Sequence, residues 1–321
     1  MDKRLRVLLD LLEEHSGEYV SGSEIAGVLG VSKPTINRLI NMLRSRGFII
    51  ESNPRKGYRL VSADDLANTE LYLADLEASL NYRVHYVEKC ISTQDIASTL
   101  AEQGAQEGTI VLAEEMTGGR GRLGRKWHAS RGGLWLTLIL RPHMTRDVQL
   151  LSLAMGLGLV KGIKEHLGIK TSLKWPNDVL YNERKLAGIL VEGKIESNYI
   201  KYILVGIGLN VNNEIPAELR STAISLKEIK GRNIPRIPLL RSILLQIDHY
   251  YVTLSKKKDY EEILSEWKKH STTIGRTVKA VTIDGKIIVG KAVDVDKNGA
   301  LVIETSHGLE KIYAGDLEHL R

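Results

Sequence analysis

Residues 118–127 read GGRGRLGRKW. Three arginines and a lysine share these ten positions with four glycines and a tryptophan. The β-prone runs TIVLAEE (109–115) and GLWLTLIL (133–140) stand on either side. The segment therefore reads as a loop between two strands of a folded domain, and not as an arginine–glycine tail, which would be disordered. Its arginines are suited to gripping carboxylate or phosphate oxygens in pairs. Its glycines let backbone approach a ligand and let the loop order on binding. Gly119 and Gly124 have the spacing of a Walker A loop, but Arg125-Lys126 stands where that motif needs Lys-Ser/Thr.

Working outward, RVHYVEKCISTQDIASTL (83–100) gives a strand, a turn at Ser92-Thr93 and a helix. Ser92 or Thr93 can cap that helix, and the same hydroxyls and helix N–H groups can face a ligand. Downstream, SLKWPNDVLYNERKLAGILVEGK (172–194) holds Lys174 in an apolar strand beside Trp175, where a lysine either snorkels or works on a ligand. Residues 179–181 and 186–192 read as antiparallel strands joined at Asn182-Glu183. YIKYILVGIGLNVNN (199–213) is a strand ending in Gly206-Ile207-Gly208-Leu209-Asn210, small enough for close ligand approach. The apolar run LLSLAMGLGLV (150–160) is too short to span a bilayer and reads as a buried helix.

The first sixty residues are of another kind. Residues 1–30 carry 3 basic against 6 acidic side chains, and residues 31–60 carry 7 against 1. SGSE (21–24) looks like a capping box opening a short helix that Gly30 ends. A second helix, about Lys33 to Arg44, turns Ile36, Leu39, Ile40 and Leu43 inward and Lys33, Asn37, Arg38, Asn41 and Arg44 outward. FIIESNPRKGYRL (48–60) follows as a two-stranded wing with Arg55 and Lys56 at its tip. This is the pattern of a winged helix-turn-helix, and the basic face suits DNA. Arg and Asn are the types that read base edges, while Arg44, Arg55 and Lys56 suit phosphates.

At the other end, residues 237–254 and 259–270 are amphipathic helices. From about Thr277 the chain is all short alternating strands, with hairpin turns at Asp284-Gly285 and Asn298-Gly299, which predicts a small SH3-like barrel. A length of 321 residues exceeds one ordinary core. We expect a winged helix over 1–62, a catalytic α/β domain over 63–271 and the barrel over 272–321. Cys90 is the only cysteine, which excludes a disulfide framework and a thiolate-rich zinc site. With no targeting or membrane-spanning segment visible, a cytoplasmic protein is expected.

Ser92-Thr93, GRGRLGRKW, KWPND, RKLAGILVE and GIGLN, in this order, resemble the biotin protein ligases. With the helix-turn-helix in front, the chain resembles the bifunctional form that also represses the biotin operon. The resemblance covers essentially the whole chain, and its most specific parts are GRGRLGRKW and KWPND. It implies a central domain like the class II aminoacyl-tRNA synthetase core. It implies synthesis of biotinyl-5′-AMP from biotin and MgATP, then transfer of biotin to one lysine of a biotin carboxyl carrier protein domain. Operator DNA and a homodimer formed on biotinyl-AMP binding are the further partners implied; no membrane is.

By that similarity Ser92, Thr93, Gln94, Met116, Gly188 and Asn210 line the biotin or biotinyl-AMP site. Arg120, Gly121 and Arg122 lie in the loop that closes over it, and Lys174 and Arg120 act on the reacting carboxylate and phosphate. The metal ligands are not identifiable; Asp178 and Glu192 are candidates. Three positions depart from the usual pattern. Gln94 stands where asparagine is usual, Met116 where glutamine is common, and Ile224 where threonine is typical. A thioether cannot make an amide's hydrogen bonds. Three rival readings are a ligase for another carboxylic acid such as lipoate, a biotin-sensing regulator without ligase activity, and a ligase whose winged helix no longer binds DNA. GRGRLGRKW followed by KWPND argues against the first, Lys174 with Arg120 against the second, and the basic block over 31–60 against the third.

Overall fold

The computed structural model describes residues 3–15, 17–45, 48–61, 66–142, 148–196 and 199–320. The boundary expected at 62/63 falls outside them. Helix α1 (Lys3–Glu14), strand β1 (Tyr19–Val20), helices α2 (Gly22–Leu29) and α3 (Lys33–Arg44), and strands β2 (Ile49–Asn53) and β3 (Gly57–Val61) form the first unit. Its sheet runs β1-β3-β2. Ser21 caps α2 by accepting from Glu24 N, and Gly30 ends it in the left-handed region. Ser32 precedes α3 without a side-chain cap bond; its hydroxyl meets that of Thr35 instead. Ile36, Leu39, Ile40 and Leu43 are buried with Leu5, Leu8 and Leu12 in a core of their own. At Gly57 (φ 101°) any Cβ would fall 2.0 Å from Val20 O, so the wing can close on β1 only with glycine there.

The second unit follows a short helix α4 (Thr69–Leu73). It holds β4 (Arg83–Cys90), α5 (Thr93–Glu102), β5 (Thr109–Met116), β6 (Leu134–Leu140), α6 (Val148–Leu167), β7 (Ser172–Lys174), β8 (Asp178–Tyr181), β9 (Arg184–Glu196), β10 (Tyr199–Leu209), α7 (Leu226–Lys230), α8 (Arg236–Val252) and α9 (Tyr260–His270). The strands make one seven-stranded sheet, β4-β5-β6-β10-β9-β8-β7, parallel only between β4 and β5. One face packs on α6 and α8. Those helices approach closely because Gly158 and Gly162 stand opposite Ile247 and Ile243; a Cβ on Gly162 would lie 2.6 Å from Ile243 Cα. The other face carries α5 over a small cluster of Ala97, Ala101, Val111, Ile139, Tyr202 and Leu204. With both faces covered, β6 is buried at every position, and its apolar run does not alternate.

The last unit is a five-stranded antiparallel sheet, β14-β13-β12-β11-β15, built from β11 (Thr277–Thr282), β12 (Ile287–Val295), β13 (Leu301–Thr305), β14 (Gly308–Ile312) and β15 (Gly315–His319). It docks on the edge strand β7. Trp175 is 1% exposed; its indole N–H donates to Gly299 O (3.1 Å) and its backbone N–H to Thr273 Oγ1 (3.0 Å). Among the described residues no helix is long and apolar enough to cross a membrane.

The first unit docks on the second through Arg6 donating to Glu165 O (2.9 Å), the Glu13–Arg232 ion pair, and Phe48 stacked on His166. Burial, reinforced by the charges of Arg6, Arg232 and Lys230, holds the His166 imidazole down to about 3. Below its ordinary value of 6.5 the unfolded chain takes up a proton that the folded chain refuses until about 3. This contribution is therefore complete above pH 6.5 and lost as pH falls toward 3. His166→Leu should flatten the acid-side fall of the urea midpoint between neutrality and about pH 5, at up to about 1.4 kcal/mol per pH unit. An unchanged slope would remove His166 as its source.

Candidate active site

The uncovered part of the α5 face is made of glycine. Gly206 and Gly208 on β10 lie opposite Leu190 and Gly188 on β9, so three of these four positions have no side chain to fill the surface. Over this floor lies a cavity of about 440 Å³. Ser92, Thr93 and Gln94 bound it from the start of α5, where Ser92 Oγ accepts from Gln94 N. Met116 closes it from the end of β5, and Arg120 and Gly121 come from the arginine–glycine loop. Trp127, from the same loop, lies across Gly208 and Gly188; a Cβ on Gly208 would meet its ring at 2.6 Å. The Trp127 Nε1 and Gln94 Oε1 atoms are buried without a hydrogen-bond partner among the described residues. A polar cavity wall with unmet donors and acceptors is what a polar ligand head would complete.

The unusual residues have definite places. Met116 Sδ accepts from Thr93 N (3.3 Å) and Thr93 Oγ1 (3.5 Å), so the thioether replaces part of an amide's role. Thr137 Oγ1 is 2.9 Å from the same Thr93 hydroxyl. Gln94 donates to Glu192 Oε2 (2.9 Å). Arg120 bonds Asp95 Oδ1 (2.6 Å) and reaches Glu192 Oε2 (3.5 Å). Burial alone would lower the Arg120 pKa, but those two carboxylates outweigh it and the net shift is upward. Ile224 is buried, and its backbone N–H donates to Lys185 O (3.0 Å).

A second cavity of about 660 Å³ adjoins the first at Trp127. Lys126, His128, Lys185, Asn210 and Asn213 line it, with residues 215–223 crossing over it. Lys185 Nζ stands 5.2 Å from the centre of the Trp127 ring and 2.7 Å from Asp178 Oδ1. The Asp178 contact is an ion pair by distance that lacks hydrogen-bond alignment, since Asp178 Oδ1 has no hydrogen-bond partner among the described residues. Lys185 also flanks Gly188: a Cβ there would lie 3.4 Å from its Nζ.

Seven of the ten residues expected at the ligand, namely Ser92, Thr93, Gln94, Met116, Arg120, Gly121 and Gly188, line the first cavity. Asn210 lines the adjoining second cavity, because β10 ends at Leu209 and the chain turns there. Lys174 and Arg122 line neither. Lys174 is half-buried on β7; burial lowers its pKa, Asp178 opposes that and Lys185 adds to it. Burial likewise lowers Arg122 against Asp316 and Asp178. Trp127, Asn177, Leu190 and Lys185 are additions. Asn177 donates to Ile189 O (2.7 Å), pinning the β7–β8 turn to β9. All four stood inside the segments quoted from the sequence, which ranked none of them. Among the described residues no three metal-ligating side chains converge. Asp178 is paired with Lys185, and Glu192 with Gln94 and Arg120.

On the winged unit Lys33, Asn37, Arg38, Asn41, Arg44, Arg55 and Lys56 are all exposed. Arg44, however, directs its guanidinium to Ile50 O (2.6 Å), Ser52 Oγ (2.7 Å) and Asn41 Oδ1 (3.2 Å). It ties α3 to the wing. Asn37 Oδ1 accepts from the Tyr58 hydroxyl. Asn53 Oδ1 accepts from Arg55 N (2.9 Å) and Lys56 N (3.0 Å), which fixes the wing tip.

Residues 4–59 match the HTH domain, residues 87–210 the Biotin/lipoate A/B protein ligase family, and residues 273–320 the Biotin protein ligase C terminal domain. The chain is 36% identical to the Bifunctional ligase/repressor BirA of Bacillus subtilis, over 97% of both chains. It is 30% identical to that of Escherichia coli, over 95% of this chain and 94% of the other. The biotin protein ligase of Aquifex aeolicus, solved in complex with biotin and ATP, superposes with a TM-score of 0.67 at 32% identity, over 74% of this chain and 99% of that one. With the helix-turn-helix, ligase and C-terminal modules matched in one chain and likeness running end to end, the chain belongs to the bifunctional biotin ligase/repressor family.

Proposed function

We propose that this chain activates biotin with ATP to biotinyl-5′-AMP, transfers biotin to a lysine of a biotin carboxyl carrier protein domain, and represses transcription through its winged helix. The observation that carries the reading is two adjoining cavities with cations at their junction. The first, apolar along its glycine floor and polar at Ser92, Thr93 and Gln94, takes biotin. The second, under residues 215–223, takes the nucleotide. We read the central domain as class II synthetase-like and the C-terminal sheet as an SH3-like barrel.

In the first step a biotin carboxylate oxygen attacks the α-phosphorus, the bond to the β-phosphate oxygen breaks, and pyrophosphate leaves. Two anions must approach, so the work of the protein is neutralisation and alignment. Lys185 stands at the junction of the cavities, with Lys174 and Asp178 behind it. Arg120 would leave Asp95 and Glu192 for the ligand's oxygens, and Arg122 would close above it. Mg²⁺, a hard cation suited to phosphate oxygens, would enter with ATP, with Asp178 the carboxylate we assign to it. The closed loop keeps water from the mixed anhydride. In the second step the carrier's lysine amine attacks the acyl carbon and AMP leaves.

The test compares pyrophosphate release by the purified protein with MgATP and either biotin or lipoate. Release with biotin is the expected result. Release with lipoate alone would make the substrate assignment wrong, and release with neither would favour a pure sensor.

For the repressor half, we propose that biotinyl-AMP promotes a homodimer that presents two winged helices to a palindromic operator. Lys33, Arg38, Arg55 and Lys56 carry the DNA contact, with Asn37 and Asn41 beside them and Arg44 in support. Arg55→Ala should weaken binding to the gene's own upstream DNA and lower the salt slope by about one, with ligation intact. A gel-shift series across salt, with biotinyl-AMP present, checks it; an unchanged slope would take Arg55 off the phosphates. Both activities fit a cytoplasmic protein.

A further inference from the structure

We infer that a separate site for a phosphate-class oxyanion lies between the C-terminal ends of α6 and α9 and the start of β7. An open cavity of about 630 Å³ is lined there by Lys164 from α6, Lys170, Thr171 and Ser172 leading into β7, and Lys269 and His270 from the end of α9. Among the described residues no acidic side chain lines it. Lys164 and Lys170 form no ion pair among the described residues, and both are exposed. Lys269 shares Glu266 with Lys161, at 2.6 Å and 2.7 Å, so one carboxylate already serves two ammonium groups.

A second, independent observation is Thr171. It is 7% exposed, it lines this cavity, and its hydroxyl has no hydrogen-bond partner among the described residues. A buried hydroxyl beside unpaired ammonium groups is completed by an acceptor with several oxygens. Helix C-termini attract cations by themselves, which accounts for Lys164 and Lys269 but not for Lys170, which lies outside both helices. The cavity also has a built-in reporter. Burial lowers the His270 pKa, with Lys161, Lys164 and Lys269 adding to that against Glu266. An anion seated among them would reverse part of this.

The position suggests a use. Ser172 and Lys174 point to the same face of β7, two residues apart. The cavity thus continues the cationic line that begins at Lys174. Inorganic phosphate and the pyrophosphate released in adenylation are the two sources of such an anion; the second rests on the ligase reading, and the first does not.

The test follows the His270 imidazole signals by NMR in the full-length protein, assigned by their loss in His270→Gln. Phosphate and pyrophosphate are titrated separately, with chloride at matched ionic strength as control. Saturable shifts are expected with at least one of the two, raising the His270 midpoint by about one pH unit. The Lys164→Ala/Lys170→Ala double variant should weaken binding at least about tenfold and leave biotin-dependent adenylation unchanged. Response to phosphate assigns the site to the free ion, and response to pyrophosphate alone assigns it to the reaction's product. A response no greater than with chloride, or one that survives in the double variant, overturns the site.

Discussion

Lys185→Ala is expected to lower biotin-dependent pyrophosphate release by about 10²–10³-fold, the scale of removing one well-placed charge from a transition state. Lys174→Ala should cost about tenfold, acting through its neighbours. The ranking comes from placement. Lys185 stands against Trp127 and Gly188, where the two cavities meet, while Lys174 lines neither cavity. Lys174 instead shares the field of Asp178 with Lys185. Its loss leaves Asp178 with one cation rather than two and shifts the balance at Lys185 without emptying the junction. Steady-state release at saturating ATP and biotin separates the two variants, and near-ultraviolet circular dichroism checks that each is folded. If Lys174→Ala proves the more damaging, the reacting oxygens lie nearer β7 than the cavities imply.

That inversion shows what the sequence could and could not disclose. Lys174 drew notice because an isolated cation beside Trp175 in an apolar strand breaks a pattern. Lys185 follows Arg184 at a turn, where charged residues are ordinary; it flanks Gly188 on a strand whose register with β8 shifts between the two, a feature no local pattern shows. The cavity wall was far more legible. Ser92, Thr93 and Gln94 cap a helix, and a cap is a local feature read from three or four residues. The glycines of β10 were visible as small residues, but the strand register that sets Gly208 opposite Gly188 was not. Asn210 lines the second cavity, just past the end of β10 at Leu209, a stop that periodicity does not mark. Arg44, basic and facing outward, suits a phosphate contact as far as sequence goes. Its bond to Ile50 O exists only once the wing folds back on α3. Local signals survived into the structure, and signals that depend on which segment lies across the way did not.

Arg236→Met should destabilise the central domain by about 3–5 kcal/mol, the usual cost of stranding a buried charge. Arg236 is 3% exposed at the first position of α8. Its guanidinium holds both oxygens of Glu114, at 2.8 Å and 3.0 Å, and Gly133 O at 2.9 Å. Glu114 is near the end of β5 and Gly133 just before β6, so one side chain ties together the two roots of the arginine–glycine loop. Removing it leaves the Glu114 carboxylate buried without its cation. Replacing both partners, as Glu114→Leu/Arg236→Met, removes the stranded charge and should return most of the lost stability, since a buried pair is worth little over apolar residues of similar volume. It should not return the loop. Gly133 O would still lack its donor, and the loop roots would be joined by packing alone, so KM for biotin should stay raised in the double variant. Urea unfolding by tryptophan fluorescence and steady-state adenylation, run on both variants, test the two halves separately. A double variant that recovers stability and KM together would mean the pair is a structural clasp with no hold on the loop. One that recovers neither would mean that α8 needs the guanidinium for its own register.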